Sequence, residues 1–156
     1  MINTTPTSKG PAMKDAIRYE PSPLDRERAQ VALYEATDGA EGATLEGRPI
    51  VVLTHIGAKS GLLRKSPLMR VEHDGRYAVI ASNGGAARDP LWARNIAANP
   101  EVRVQDGPTT HPLLARRVFG EEQEQWWQRA YETYPKFAGY REAAGRDVPL
   151  YVLEPA

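Results

Sequence analysis

The amino-acid sequence predicts a mostly antiparallel α+β domain whose sheet can curl into a small barrel. Two observations carry this. Apolar runs of strand length are joined by tight-turn residues, and short helical stretches are set between groups of strands rather than after every strand. At 156 residues the chain suits a single domain, a size at which roughly 68–70% of the unfolded surface is buried on folding.

Residues 1–23 carry Thr, Ser, Lys, Gly and Pro with no apolar periodicity, which predicts a flexible leader or covering strap ahead of one folded unit, residues 24–156. Residues 25–34 read as a weakly amphipathic helix, with Val31 and Leu33 among few apolar positions and Arg26, Glu27 and Arg28 keeping one side wet. A Gly-rich loop, 39–47, leads to a buried strand over 49–55. Residues 64–73 and 76–82 form a hairpin, because Asp74-Gly75 between them tolerates positive φ. Asp89-Pro90 opens a short helix, with Asp89 as the expected N-cap, and Asn99-Pro100 closes it. Strands over 101–105 and 110–119 flank the turn Asp106-Gly107-Pro108, a helix covers 121–134, and 148–153 is a last strand.

Bulk properties exclude several function classes. Twenty basic residues balance twenty acidic ones, so no global field draws in nucleic acid or an anionic membrane. With no cysteine there are no disulfides, Fe–S clusters or thiolate metal sites. His55, His73 and His111 lack metal-ligand spacing; no metal is expected, and none of the three reads as catalytic. No apolar run approaches the roughly 20 residues of a membrane span, which predicts a cytoplasmic protein, at most peripheral to the inner membrane face.

Three clusters can carry chemistry. The loop from Gly57 through Lys59, Ser60 and Gly61 to Arg64, Lys65 and Pro67 brackets cations and a hydroxyl with glycines, the composition of an anion cradle; a solvated hairpin loop has the same composition. Ala81-Ser82-Asn83-Gly84-Gly85 precedes a helix on which Trp92, Asn95, Ile96 and Asn99 share one face, so that a flat heterocycle can meet an aromatic plane and amides together; Trp92 can equally be a core anchor. Tyr134, Phe137 and Tyr140 lie across a helix end broken by Pro135, where phenols can hydrogen-bond or protonate a substrate or simply pack.

Taken in order, Leu53-Thr54-His55-Ile56-Gly57-Ala58-Lys59-Ser60-Gly61, Arg64 with Pro67-Leu68, Ala81-Ser82-Asn83-Gly84-Gly85, Asp89-Pro90-Leu91-Trp92 with Asn95, and Asn99-Pro100-Glu101-Val102 closely resemble the deazaflavin-dependent nitroreductase family over residues 45–154. The resemblance implies a split β-barrel related to FMN-binding flavoproteins, and reduced coenzyme F420 as hydride donor to a quinone, activated alkene or nitroaromatic. It also implies that Lys59, Ser60 and Arg64 hold the phosphate and glutamyl tail beside Pro67. Ala81, Ser82, Asn83, Gly84, Trp92 and Asn95 then line the deazaflavin, and Ser82, Tyr134 and Tyr140 serve catalysis. The chain departs from the family's prodrug-activating member at Phe137, where that member has a tyrosine, and at Met69, where it has an aromatic residue. Both departures bear on nitro reduction more than on cofactor binding. The rival readings are an FMN-dependent oxidoreductase of the same barrel and a non-catalytic F420 carrier. The expected assembly is a monomer or homodimer, with peripheral membrane contact through the N-terminus.

Overall fold

The computed structural model describes residues 17–156. Helix α1 (Asp25–Ala36) is followed by β1 (Thr44–Leu45), β2 (Arg48–Ile56), β3 (Leu63–Met69), β4 (Glu72–His73) and β5 (Arg76–Ile80). A 3-10 turn (Asn83–Gly85) leads into α2 (Leu91–Ala98), then β6 (Glu101–Asp106), β7 (Thr109–Arg117), α3 (Gly120–Thr133), α4 (Lys136–Ala144) and β8 (Leu150–Glu154).

Every pairing among these strands is antiparallel, and the main path runs β3-β2-β6-β7-β8-β5-β4. The two ends of that path are one piece of chain. β3 and β4 are halves of a bent run: the first half pairs β2, Arg70 N–H donates to Pro49 O, and Val71 O accepts from Ala78 of β5. The sheet thereby curls back on itself into a split barrel. Asp106 clamps the bend, accepting from Arg70 Nε at 3.1 and 2.9 Å and from the Tyr77 hydroxyl at 2.7 Å.

The period-2 alternation of strands sorts the core into layers. Val51 and Leu53 of β2, Val79 of β5 and Leu153 of β8 point into the barrel, which α2 plugs with Trp92, Ala93 and Ile96. Ala78, Ile80, Leu150 and Val152 point outward beneath α3 and α4, where Trp126 and Trp127 are only 1% and 0% exposed. Ile50 and Val52 lie under Val31 and Tyr34 of α1. Because β2 is covered on both faces, it reads as a continuous apolar run rather than an alternating one.

Several expectations change. Asp89 does not cap α2: Pro90 occupies the N-cap with no side-chain cap bond, and the Asp89 carboxylate is taken by Arg146. The loop 39–47 contains β1, whose hairpin to β2 turns at Glu46-Gly47, both at positive φ. Pro135 ends α3 but also starts α4, since its fixed φ is preorganised for a first helical turn, so Phe137 and Tyr140 sit on a helix. Of the expected leader, residues 1–16 lie outside the described residues. Residues 18–20 are pinned to the start of β3, Leu63 N–H donating to Arg18 O and Glu20 N–H to Leu63 O, each at 2.9 Å. Among the described residues, no helix is long and apolar enough to cross a membrane.

Candidate active site

A cleft of about 700 Å³ follows the free edge of β3, between the strap at 22–24, the 82–92 segment and α4. Among the described residues the edge is free beyond Leu63, because β3 has a ladder partner only in β2 until its continuation joins β5. In an antiparallel ladder successive residues direct their main-chain groups to opposite sides. Leu63 faces the strap and Arg70 faces β2, so Lys65, Pro67 and Met69, which all line the cleft, turn their main-chain groups toward it. Pro67 contributes a carbonyl and no N–H. A strip of fixed donors and acceptors in one line is suited to the edge of a flat, amide-like heterocycle.

The opposite wall is the segment from Ala81 to Trp92. Ser82 is 4% exposed, lines the cleft, and its hydroxyl has no partner among the described residues. Asn83 and Gly84 follow at positive φ, with the Asn83 amide donating to Arg88 O at 3.1 Å. Gly85 is also at positive φ, and a Cβ there would sit 3.2 Å from Ala143 and 3.4 Å from the Tyr140 backbone, so only glycine lets α4 pack this close. Arg146 ties the wall together, donating to Ala81 O at 3.0 Å, Ala86 O at 3.2 Å and Arg88 O at 3.1 Å besides its pair with Asp89. Trp92 lines the cleft at 7% exposure while also anchoring α2 in the barrel.

Tyr134, Phe137 and Tyr140 close one end of the cleft, with ring centroids 5.3 to 6.3 Å apart. The Tyr134 hydroxyl donates to Glu46 at 2.5 Å and lies 3.1 Å from the Tyr140 hydroxyl. Its single proton is committed to the carboxylate, so Tyr140 is the donor of that second bond. Burial first, and then the Glu46 carboxylate, hold the Tyr134 phenol above its ordinary pKa. Lys136, donating to Glu46 at 2.5 Å, and Tyr134 in turn hold that carboxyl below its usual range.

The cations are arranged differently from a closed cradle. Arg64 lines the cleft and pairs with Glu20 of the strap at 3.3 Å, while Lys65 pairs with Glu35 of α1 and lies 4.7 Å over the Tyr19 ring. Arg26 and Arg88 also line the cleft. Lys59 and Ser60 are exposed and do not line it; the Ser60 hydroxyl turns back to accept from Leu62 N–H at 3.1 Å, stabilising its own loop. Ala81 is fully buried behind the wall.

Sequence reasoning passed over His55, Ser66, Arg146 and Glu46. His55 is 2% exposed and lies between Asn95 and Ser66, with Nδ1 3.1 Å from the Asn95 amide nitrogen and Nε2 3.0 Å from Ser66 Oγ. Burial, and secondarily the Arg64 charge, push its pKa down to about 3, so the ring is neutral. Its one sequence signal is a polar residue inside an apolar strand. Among the described residues no group of His, Asp and Glu is placed to hold a metal ion.

Comparison with known proteins fits this geometry. The family model for F420H(2)-dependent quinone reductase matches residues 26–155. The chain is 31% identical over 130 residues to an F420H(2)-dependent quinone reductase of Mycobacterium tuberculosis, covering 81% of this chain and 87% of that one. A solved F420-H2 dependent reductase, FDR-A, is 49% identical with a TM-score of 0.65, covering 69% of this chain and 95% of its own. A structure described as a domain-swapped dimer is 43% identical with a TM-score of 0.67, covering 81% and 96%. By the match of the family model over residues 26–155 and the identity to named F420H2-dependent enzymes, the chain belongs to the F420H(2)-dependent quinone reductase family.

Proposed function

We propose that the cleft along β3 holds reduced coenzyme F420 and that the protein uses it to reduce a quinone. The observation that carries this reading is the β3 edge beyond Leu63 and the Ser82 hydroxyl, both without partners among the described residues, lining one aromatic-walled cleft of about 700 Å³, the size and chemistry a planar heterocycle requires. When bound, a deazaflavin supplies a hydride from carbon, as a two-electron donor.

The chain's residues supply position and protons. Lys65, Pro67 and Met69 offer main-chain groups to the ring edge, Ser82 with Asn83 and Gly84 faces it from the other wall, and Trp92 with Asn95 closes the floor. Arg64, Arg26 and Arg88 give the cleft the positive charge that a phosphate needs. Lys59 and Ser60, outside the lining, are left for the outer end of an acidic tail. Tyr140, whose proton goes to the Tyr134 oxygen while Tyr134 donates to Glu46, can protonate an acceptor by exchanging that bond for one to it. Ser82 adds a donor where negative charge develops.

Parallel titrations of the purified protein with F420 and with FMN test the cofactor, and a preference for FMN would overturn it. A panel of quinones, enones and nitro compounds tests the acceptor; F420 binding without turnover across it would favour the carrier reading. Quinones are expected to lead and nitro compounds to lag, because Phe137 brings no hydroxyl into the tyrosine cluster and Met69 no ring. A homodimer is the expected assembly, supported by the domain-swapped relative and measured by sedimentation. Vesicle co-sedimentation of the full chain tests peripheral membrane contact through the N-terminus.

A further inference from the structure

We propose that Ser66 donates a hydrogen bond to the ring system of the bound cofactor, with His55 and Asn95 as the positioning residues that give its hydroxyl that direction. The inference rests on the F420 reading of the cleft.

The direction of the chain follows from one backbone group. Ala58 N–H can only donate, and it meets Asn95 Oδ1 at 2.9 Å, which fixes the orientation of the amide. The atom 3.1 Å from His55 Nδ1 is therefore the NH₂ nitrogen, again a donor only. Nδ1 must be unprotonated, and a neutral imidazole then carries its proton on Nε2. That proton points at Ser66 Oγ, 3.0 Å away. Having accepted from His55, Ser66 has its own proton to place, and it has no other partner among the described residues and lines the cleft. Each member donates toward the cleft, so a ligand meets a hydroxyl donor rather than a hydroxyl free to turn.

The depth of the site indicates which part of the ligand is met. Ser66 pairs across the ladder with Leu53 and shares a face of β3 with Leu68, both part of the apolar barrel interior. A conjugated carbonyl oxygen or ring nitrogen suits such a place, whereas a phosphate requires the cations at Arg64, Arg26 and Arg88. The neutrality of His55 agrees with this polarity, since an imidazolium would need an acceptor on both nitrogens and Asn95 offers none.

Two measurements decide it. Long-range ¹H–¹⁵N spectra of the cofactor-free protein should show His55 as the Nε2–H tautomer; an Nδ1–H tautomer or an imidazolium near pH 7 would overturn the polarity whatever the cofactor proves to be. Fluorescence titrations of the wild-type protein and Ser66→Ala should use both F420 and its riboside fragment, which keeps the ring and lacks phosphate and glutamate. The variant should bind both about fivefold more weakly, equivalent to about 1 kcal/mol, while Ser66→Thr, which keeps the hydroxyl, should restore binding. Equal affinity of wild type and Ser66→Ala for F420 would overturn this inference and leave the F420 reading standing. A loss seen with F420 but not with the fragment would overturn the assignment to the ring. Failure of the wild-type protein to bind F420 would overturn both readings.

Discussion

Replacing His55 by Gln should flatten the dependence of folding stability on pH. The buried ring resists protonation down to about pH 3, whereas in the unfolded chain it titrates near 6.5. Between those values the unfolded chain binds a proton that the folded chain refuses, so acidification favours unfolding. The contribution is intact above about pH 6.5 and is lost progressively as pH falls toward 3. At pH 5 the unfolded ring is about 1.5 units below its pKa, and at about 1.36 kcal/mol per unit the fold loses about 2 kcal/mol relative to neutral pH. Urea denaturation of the wild type and His55→Gln at pH 7.5 and pH 5.0 isolates this term, since His73, His111 and the carboxylates are common to both proteins. The wild type should lose about 2 kcal/mol more than the variant across that interval. Equal losses would mean that His55 takes up a proton in the folded state, and the argument from burial would fail.

Three further outcomes follow from the cleft walls. Arg146→Ala removes the group that ties together Ala81, Ala86, Arg88 and Asp89; stability should fall by about 2 kcal/mol and F420 affinity with it, and unchanged affinity in a titration would show that the wall holds its shape alone. Gly85→Ala should destabilise more than Gly84→Ala, which costs about 1 kcal/mol for its left-handed backbone, because only at position 85 does a Cβ also meet α4; equal melting-temperature shifts would contradict this. Glu46→Gln removes the carboxylate that helps hold the Tyr134 phenol up, so the Tyr134 ring carbon bearing the hydroxyl, followed by ¹³C NMR of tyrosine-labelled protein, should titrate at lower pH than in the wild type, and an unmoved titration would show that burial alone sets that phenol.

Much of the barrel is legible in the sequence because its signals are local. Asp74-Gly75 takes the positive φ values its composition announces, and Asn99-Pro100 ends α2 where the following strand must start. Ser82, Trp92, Tyr134 and Tyr140, all singled out from local motifs, line the cleft. What stayed hidden depends on contacts between residues far apart in sequence. His55 has no meaning until Asn95, on α2, and Ser66, on β3, stand on either side of it. Arg146 follows a helix end and looks like any surface cation until the 81–89 segment folds beneath it. Glu46 reads as a turn residue, and only the packing of α3 and α4 brings a phenol and an ammonium to its carboxylate. Lys59 and Ser60 have the spacing of a cradle, but both lie outside the cleft lining and the Ser60 hydroxyl accepts from its own turn.

The bent run from β3 into β4 couples ligand occupancy to the integrity of the whole molecule. A strand shared between the β2 and β5 ladders, and clamped at its bend by Asp106, cannot open on one side without loading the other. A molecule seated on its free edge therefore guards no isolated flap. Amides of β2 and β5, on opposite flanks of the bend, should slow their hydrogen exchange together as the cleft fills, because they belong to one cooperative unit.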